Sequence, residues 1–279
     1  MDLRDKSGLN EIFKNNSIDA VIHFAGLKSV AESVGQPLMY YQNNIDGTLV
    51  LCETMYEHGV KNLVFSSSAT VYGNPETVPV KEDAPASPFN PYGRTKLFIE
   101  AMLKDFHFVD NSWNIALLRY FNSVGAHLSG LIGEDPSDIP NNLMPYISQV
   151  AVGQLTELSV YGDNYPTPDG TGIRDYIHVM DLAEGHVKAL EKIVLDSGLV
   201  TYNLGTGKGY SVLEMIAAFE KESGKQIKYK IVDRRPGDIP TCYADPSLAK
   251  KELELQAIRG IDEMCADAWK WQSMNPKGY

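Results

Sequence analysis

The sequence predicts an α/β protein: a doubly wound parallel sheet with a smaller α/β substrate domain. Three observations predict it. Short apolar runs without polar alternation, "DAVIHFAG", "NLVFSSS" and "NIALLRYFN", suit strands buried on both faces of a parallel sheet. Longer amphipathic stretches, "NIDGTLVLCETMYEHG" and "PYGRTKLFIEAMLKDF", separate them and give the order βαβαβ. Small and polar residues follow each strand: Gly26 with Lys28, Ser66 to Ser68, and Asn122. Ligands of such sheets sit beyond the carboxyl ends of the strands, so these three segments are expected to line one crevice.

Taken in order, the strand at 20–25 has no earlier strand to pair with, which predicts an unpaired sheet edge. Leu49, Cys52, Met55 and Tyr56 form the apolar stripe of the first helix, which stops at Gly59, a C-cap glycine. After Asn122 the texture changes to "IGEDPSDIPNNLMP" and "GDNYPTPDGTG", and a second region follows with helices such as "SVLEMIAAFEKESG". "TYNLGTG" again reads as a strand of the sheet type, so the regions interleave. Residues 1–122 and 174–206 form one domain, and 123–173 and 207–279 the other. Asp181 reads as the N-cap of "LAEGHVKALEKI".

Composition narrows the function classes. With 25 Lys and Arg against 36 Asp and Glu, the net charge is −11 and no basic run offsets it, so nucleic acid and anionic membrane are poor partners. Cys52, Cys242 and Cys265 are far apart, with no CxxC and no His at ligand spacing. Reduced thiols, no metal and a cytoplasmic location are expected. No apolar run nears the roughly 20 residues of a membrane span, and residues 1–30 lack a leader pattern.

"NPYGRTK" puts Tyr92 and Lys96 four apart at the start of a helix, on one face. A free phenol titrates near 10, so a basic Tyr92 needs nearby positive charge to lower it. Ser68 is placed to donate to the same substrate oxygen. His23, His178 and His186 read as packed or structural. "TYNLGTGKGYSVLEMI" imitates a dinucleotide fingerprint, but the third glycine of GxGxxG falls at Tyr210 and a phosphate loop would need a glycine where Tyr202 stands.

"SSSATVYG", "NPYGRTK", "LLRYFN", "IPNNLMPYISQVAVG" and "DGTGIRDYIHVMDLAEGH" together resemble the UDP-galactose 4-epimerases, extended short-chain dehydrogenases/reductases, from Asp2 to Tyr279. The resemblance implies a Rossmann-type domain, NAD as cofactor, a UDP-hexose substrate and a homodimer whose helices near 50 and 100 meet. It implies Tyr92 as base, Ser68 as its hydrogen-bonding partner, and Lys96 as a ribose contact that also lowers the phenol. Phe24, Ala25, Gly26, Lys28, Asn43, Ser66 and Phe121 would contact NAD, with Asp2 and Leu3 at the adenine. Asn122, Asn142, Leu143, Ser159, Val160 and Tyr161 would meet the nucleotide sugar, Tyr161 covering the uracil. Arg174 and Arg235 would hold the diphosphate, a task suited to planar guanidinium forks, and Asp238 a ribose hydroxyl. On the residues alone, Asn142 is open to a capping role and Arg235 to that of a solvated loop charge.

Members of the family begin with a strand, a GxxGxxG turn and a helix; this chain is expected to start after them, on the order of 50–60 residues in. The resemblance then leaves two expectations, an epimerase or an inactive fragment of one that lacks the cofactor loop, beside other NAD-dependent nucleotide-sugar enzymes. Two departures stand out. Ser123 replaces the usual proline of "RYFNP", and Cys242 stands where some members carry a bulky aromatic. A small side chain there predicts that N-acetylated UDP-hexosamines are also accepted. Ala69 and Thr70 occupy places where dehydratase relatives carry an acid, which argues against dehydration.

Overall fold

A computed structural model describes residues 1–279 apart from 138, 197 and 236. The chain runs α1 (Lys6–Asn15), β1 (Val21–His23), α2 (Val30–Gly35), α3 (Pro37–Tyr41), a π-helical turn (Gln42–Asp46) and α4 (Gly47–Glu57). It continues with β2 (Asn62–Ser68), a 3₁₀ turn (Ala69–Tyr72), α5 (Pro91–Val109), β3 (Asn114–Tyr120), β4 (Asn122–Val124), α6 (Leu143–Ala151) and β5 (Leu158–Tyr161). Then come β6 (Ile173–His178), α7 (Val179–Leu195), β7 (Leu199–Leu204), β8 (Gly209–Ser211), α8 (Val212–Ser223), β9 (Tyr229–Val232), β10 (Thr241–Cys242), α9 (Ser247–Leu253) and α10 (Ile261–Met274).

The main sheet has the order β1-β2-β3-β7 and is parallel throughout, with Phe65 opposite Leu117 and Leu117 opposite Thr201. Both faces are covered, as the continuous apolar runs predict. Leu63, Phe65, Ile115 and Leu117 pack on Leu51, Met55, Ile99 and Leu103 of α4 and α5. Val64, Ala116, Leu118 and Tyr202 pack on Ala189, Ile193 and Leu253 of α7 and α9. The shortest strand of this sheet, β1, pairs with β2 alone and forms one of its edges.

The helix α4 stripe is phased differently from the sequence reading. Leu51, Cys52 and Met55 are buried, but Leu49 and Tyr56 are 42% and 63% exposed. Thr48 and Thr54 take their places in the interior because each hydroxyl donates back to a carbonyl of the preceding turn, of Asn44 and Val50 respectively. The helix does end as expected: Gly59 follows it at φ +72° and its N–H returns to Tyr56 O.

A smaller sheet is ordered β10-β6-β4, with β8 antiparallel on β6, and β5 pairs with β9. Its core joins α6, α8 and α10 through Met144, Ile147, Met215, Phe219, Met264 and Ala268. Strand β6, which the sequence reading assigns to the first domain from 174 on, hydrogen-bonds instead within this smaller sheet, and the chain returns to the main sheet through α7 and β7. Asp181 is not the N-cap of α7. His178 is, its Nδ1 accepting from Met180 N, while the buried Asp181 carboxylate receives Ile258 N, Arg259 N and the Arg259 guanidinium.

Candidate functional site

A cleft of about 680 Å³ opens between the two sheets at the carboxyl end of the main one. Asn122, Asn142, Leu143, Ser159, Val160, Tyr161, Arg174, Arg235, Asp238 and Cys242 all line it, joined from the cofactor set by Lys28 and Phe121. Of the residues implied for the nucleotide sugar, Ser68 alone is outside this lining; its neighbours Ala69 and Thr70 are in it.

Local sequence fixes most of these positions. Asn90 caps α5, its Oδ1 accepting from Gly93 N at 2.8 Å, and Pro91 supplies a preset first helical residue. That start sets Tyr92 one residue into the helix, facing the end of β2. Asn142 stands at the N-cap of α6 but makes no capping bond; its amide is 3.4 Å from Glu134 instead. Arg235 is a half-exposed loop residue, but its guanidinium is engaged. Its Nε donates to Asp238 at 3.0 Å and its guanidinium lies 4.4 Å over the Tyr161 ring. Arg174 points back to the carbonyls of Ile173 and Pro240.

In the free protein, burial raises the Tyr92 phenol above its ordinary value, the Ser68 hydroxyl opposes that, and Tyr120 and Tyr40 add to the rise. Lys96 is not among the groups that shift it here. The ammonium is buried, donates to Ser66 O at 2.7 Å and lies 4.8 Å over the Phe65 ring. Burial pushes Lys96 down to about 8, with Glu100 pulling it back up. Ser68 Oγ pairs with Thr70 Oγ1 at 2.9 Å and accepts from Thr70 N.

Around the end of β1, Phe24, Ala25, Gly26 and Lys28 are exposed, and Phe24 sits 4.7 Å from the His186 ring. Ser66 Oγ meets His186 Nε2 at 3.4 Å. Asn43 donates to Asn44 Oδ1 at 3.0 Å. Asp2 and Leu3 do not join the cleft: both Asp2 oxygens are taken by Arg4, whose guanidinium holds the carboxyl well below its usual range, and Leu3 packs at the core beside α4. His23 bonds Thr48 and His186 bonds Leu182 O, structural roles as expected.

The glycine loop of "NLGTG" holds an anion, but one of this chain's own. Thr206 N, Thr206 Oγ1, Gly207 N and Ala244 N all donate to the buried Asp175 carboxylate. A Cβ on Gly205 would lie 2.6 Å from Asp175 Oδ2, which explains the glycine.

Two site residues escape sequence reasoning. Tyr176 lines the cleft; burial pushes its phenol up to about 12 while Arg174 and Arg235 pull it down. Asn44, 3% exposed, clamps the turn after β1 by bonding both Leu27 N and Leu27 O, and also bonds Thr95 Oγ1, which in turn donates to Tyr92 O. Tyr176 is foreshadowed only by lying two residues from Arg174 on a strand. Asn44 gives no sequence signal beyond its place in a π-helical turn.

At this geometry the chain is similar to known proteins over its full length. A family model described as GDP-mannose 4,6 dehydratase matches residues 1–268. The UDP-glucose 4-epimerase of Bacillus subtilis (strain 168) is 64% identical over 278 residues, which cover 100% of this chain and 82% of that protein. The human UDP-glucose 4-epimerase is 59% identical over 280 residues, 100% of this chain and 80% of its own. The crystal structure of the Bifidobacterium longum UDP-glucose 4-epimerase in complex with NAD+ and UDP superposes with a TM-score of 0.97 at 57% identity, covering 100% of this chain and 83% of that one.

Proposed function

Because this chain belongs to the UDP-glucose 4-epimerase family of extended short-chain dehydrogenases/reductases, we propose that it is an isomerase interconverting UDP-galactose and UDP-glucose, with NAD as cofactor and Tyr92 as the base. The observation that carries this reading is the single cleft that gathers Asn122, Asn142, Tyr161, Arg174, Arg235 and Asp238 next to the Ser68 and Tyr92 segments.

The residues fit the nicotinamide end of NAD: Phe121 in the wall, the turn from Phe24 to Lys28, bonded by Asn44, at the rim, and Lys96 buried behind them against Ser66 O. NAD held there would supply a reversible hydride acceptor for the fourth carbon of the hexose. The chain's own residues do the rest. Tyr92 receives the hydroxyl proton as hydride leaves and gives it back. Ser68 donates to the same oxygen after leaving Thr70. Arg174 and Arg235 grip the diphosphate, so Arg235 leaves the face of Tyr161 and frees that ring to cover the uracil. Since burial raises the free phenol, its activation depends on cationic charge arriving with the cofactor and on Lys96 holding the ribose.

Dehydration, suggested by the matching family description, is disfavoured because Ala69 and Thr70 place no carboxylate beside Ser68. Cys242, buried with its thiol pushed up to about 11, is a small wall of the cleft and leaves room for N-acetylated UDP-hexosamines. The exposed Leu49, Tyr56, Phe98 and Phe108 on α4 and α5 support a homodimer through those helices. No described helix is long and apolar enough to cross a membrane. The three cysteines are buried and free, which supports a reducing, cytoplasmic setting.

Chromatographic separation of UDP-hexoses after incubating the protein with UDP-galactose and NAD tests the reading. Appearance of UDP-glucose is expected; its absence would overturn the proposed reaction.

A further inference from the structure

One oxygen of Glu134 joins the two lips of the cleft. Its Oε1 lies 3.3 Å from Lys28 Nζ and 3.4 Å from Asn142 Nδ2. Lys28 belongs to the turn after β1 and Asn142 to the residue before α6, and both line the cleft from opposite sides of the molecule's two sheets. Behind the cleft, Glu134 also lines a small void with Ser148 and Trp271, so its segment is backed by α6 and α10.

We propose that Glu134 is a positioning residue for substrate binding: a latch that draws the Lys28 turn towards Asn142 over the sugar end of the cleft. This rests on the reading above for what enters the cleft. Fold stability does not account for the contact, because the Lys28 and Glu134 side chains are 69% and 36% exposed and an exposed ion pair contributes little. Nor does helix capping account for Asn142, whose side chain makes no such bond. A contact that is cheap to break and spans the mouth of a cleft suits a group that opens for a nucleotide sugar and closes behind it. Asn142 is the anchored partner, at the start of α6, and Lys28 the movable one, on an exposed turn.

The test is Glu134→Gln, which keeps the shape and removes the charge, with Glu134→Ala as a second variant. UDP is the probe in calorimetry, and UDP-galactose with NAD in turnover. The Kd for UDP and the KM are expected to rise together by about two- to fivefold, the span of an exposed ion pair, with kcat unchanged. Salt at about 0.5 M should narrow the gap to the unaltered protein, because it screens the pair. Unchanged or tighter UDP binding, or a fall in kcat at constant KM, would overturn the latch. Absence of turnover in the unaltered protein would count against the proposed reaction, while UDP calorimetry would still decide the role of Glu134.

Discussion

The ammonium of Lys96 donates to the main-chain carbonyl of Ser66 at 2.7 Å, tying helix α5 to the end of strand β2. The two elements that carry Tyr92 and Ser68 are joined again two turns from Tyr92. There Glu100 receives Ser67 Oγ at 2.6 Å and a two-pronged contact from Arg119, at 2.9 and 2.6 Å. Helix and strand are thus locked before any ligand arrives, which is the preorganisation a proton transfer needs.

Lys96 is expected to cost stability while serving function. Its folded value of about 8 lies below the ordinary 10.5. Below pH 8 both folded and unfolded chains carry the charge, and the folded one bears the full burial cost. Between pH 8 and 10.5 the folded chain releases its proton while the unfolded chain keeps it, so stability rises across that window, by on the order of 3 kcal/mol. The buried Cys52, Cys242 and Cys265 thiols, which burial raises, pull the other way above pH 9, so the rise is read as a difference: between pH 7.5 and 10 in urea unfolding, the unaltered protein should gain stability relative to Lys96→Met, a variant whose turnover should be lower.

The acid side depends on His23. Burial, with the Lys96 charge adding to it, lowers this imidazole to about 4. Above pH 6.5 it is neutral in both states. As the pH falls from 6.5 to 4 the unfolded chain takes up a proton that the folded chain refuses, so stability is lost, again on the order of 3 kcal/mol. His23→Gln should flatten that part of the pH–stability curve; a curve that keeps its slope would assign the loss to His178 and His186, whose values burial also lowers.

Asn44→Ala would strip bonds from Leu27 N, Leu27 O and Thr95 Oγ1 at one stroke. A loss of about 2–4 kcal/mol in urea unfolding is expected, since these are buried groups left unpaired. Turnover should fall as well, because the turn before Lys28 and the carbonyl of Tyr92 hang on the same side chain. Full activity in a destabilised variant would confine Asn44 to a structural part.

Cys242→Tyr should separate the two sugar classes. An aromatic ring in place of the buried thiol is expected to reduce turnover of UDP-N-acetylglucosamine at least about tenfold more than that of UDP-galactose. Equal losses, or no activity towards the N-acetylated sugar before the change, would remove Cys242 from specificity.

Much of this was legible in the sequence, and the exceptions have physical causes. Continuous apolar runs revealed the parallel strands β1, β2 and β3 because both faces of the sheet are covered. The residues after those strands converge because parallel strands end on one side. The α4 stripe was misphased because a threonine that bonds its own helix backbone is as burial-ready as a leucine, a distinction no hydropathy pattern carries. Spacing put Lys96 on the face of Tyr92 but could not tell that a nearby carbonyl would claim its ammonium. Asp181 looked like a cap because a carboxylate before an apolar run usually is one; a loop almost eighty residues later, at Ile258 and Arg259, takes it instead. Asn44 acts through the backbone of a turn that lies next to it only once the chain is folded.

The most direct test of the account is the rate at which UDP-galactose becomes UDP-glucose in Tyr92→Phe, compared with the unaltered protein at saturating NAD. If the Tyr92 oxygen carries the proton, kcat should fall by at least about 10²-fold with UDP binding retained. An undiminished kcat would contradict the account.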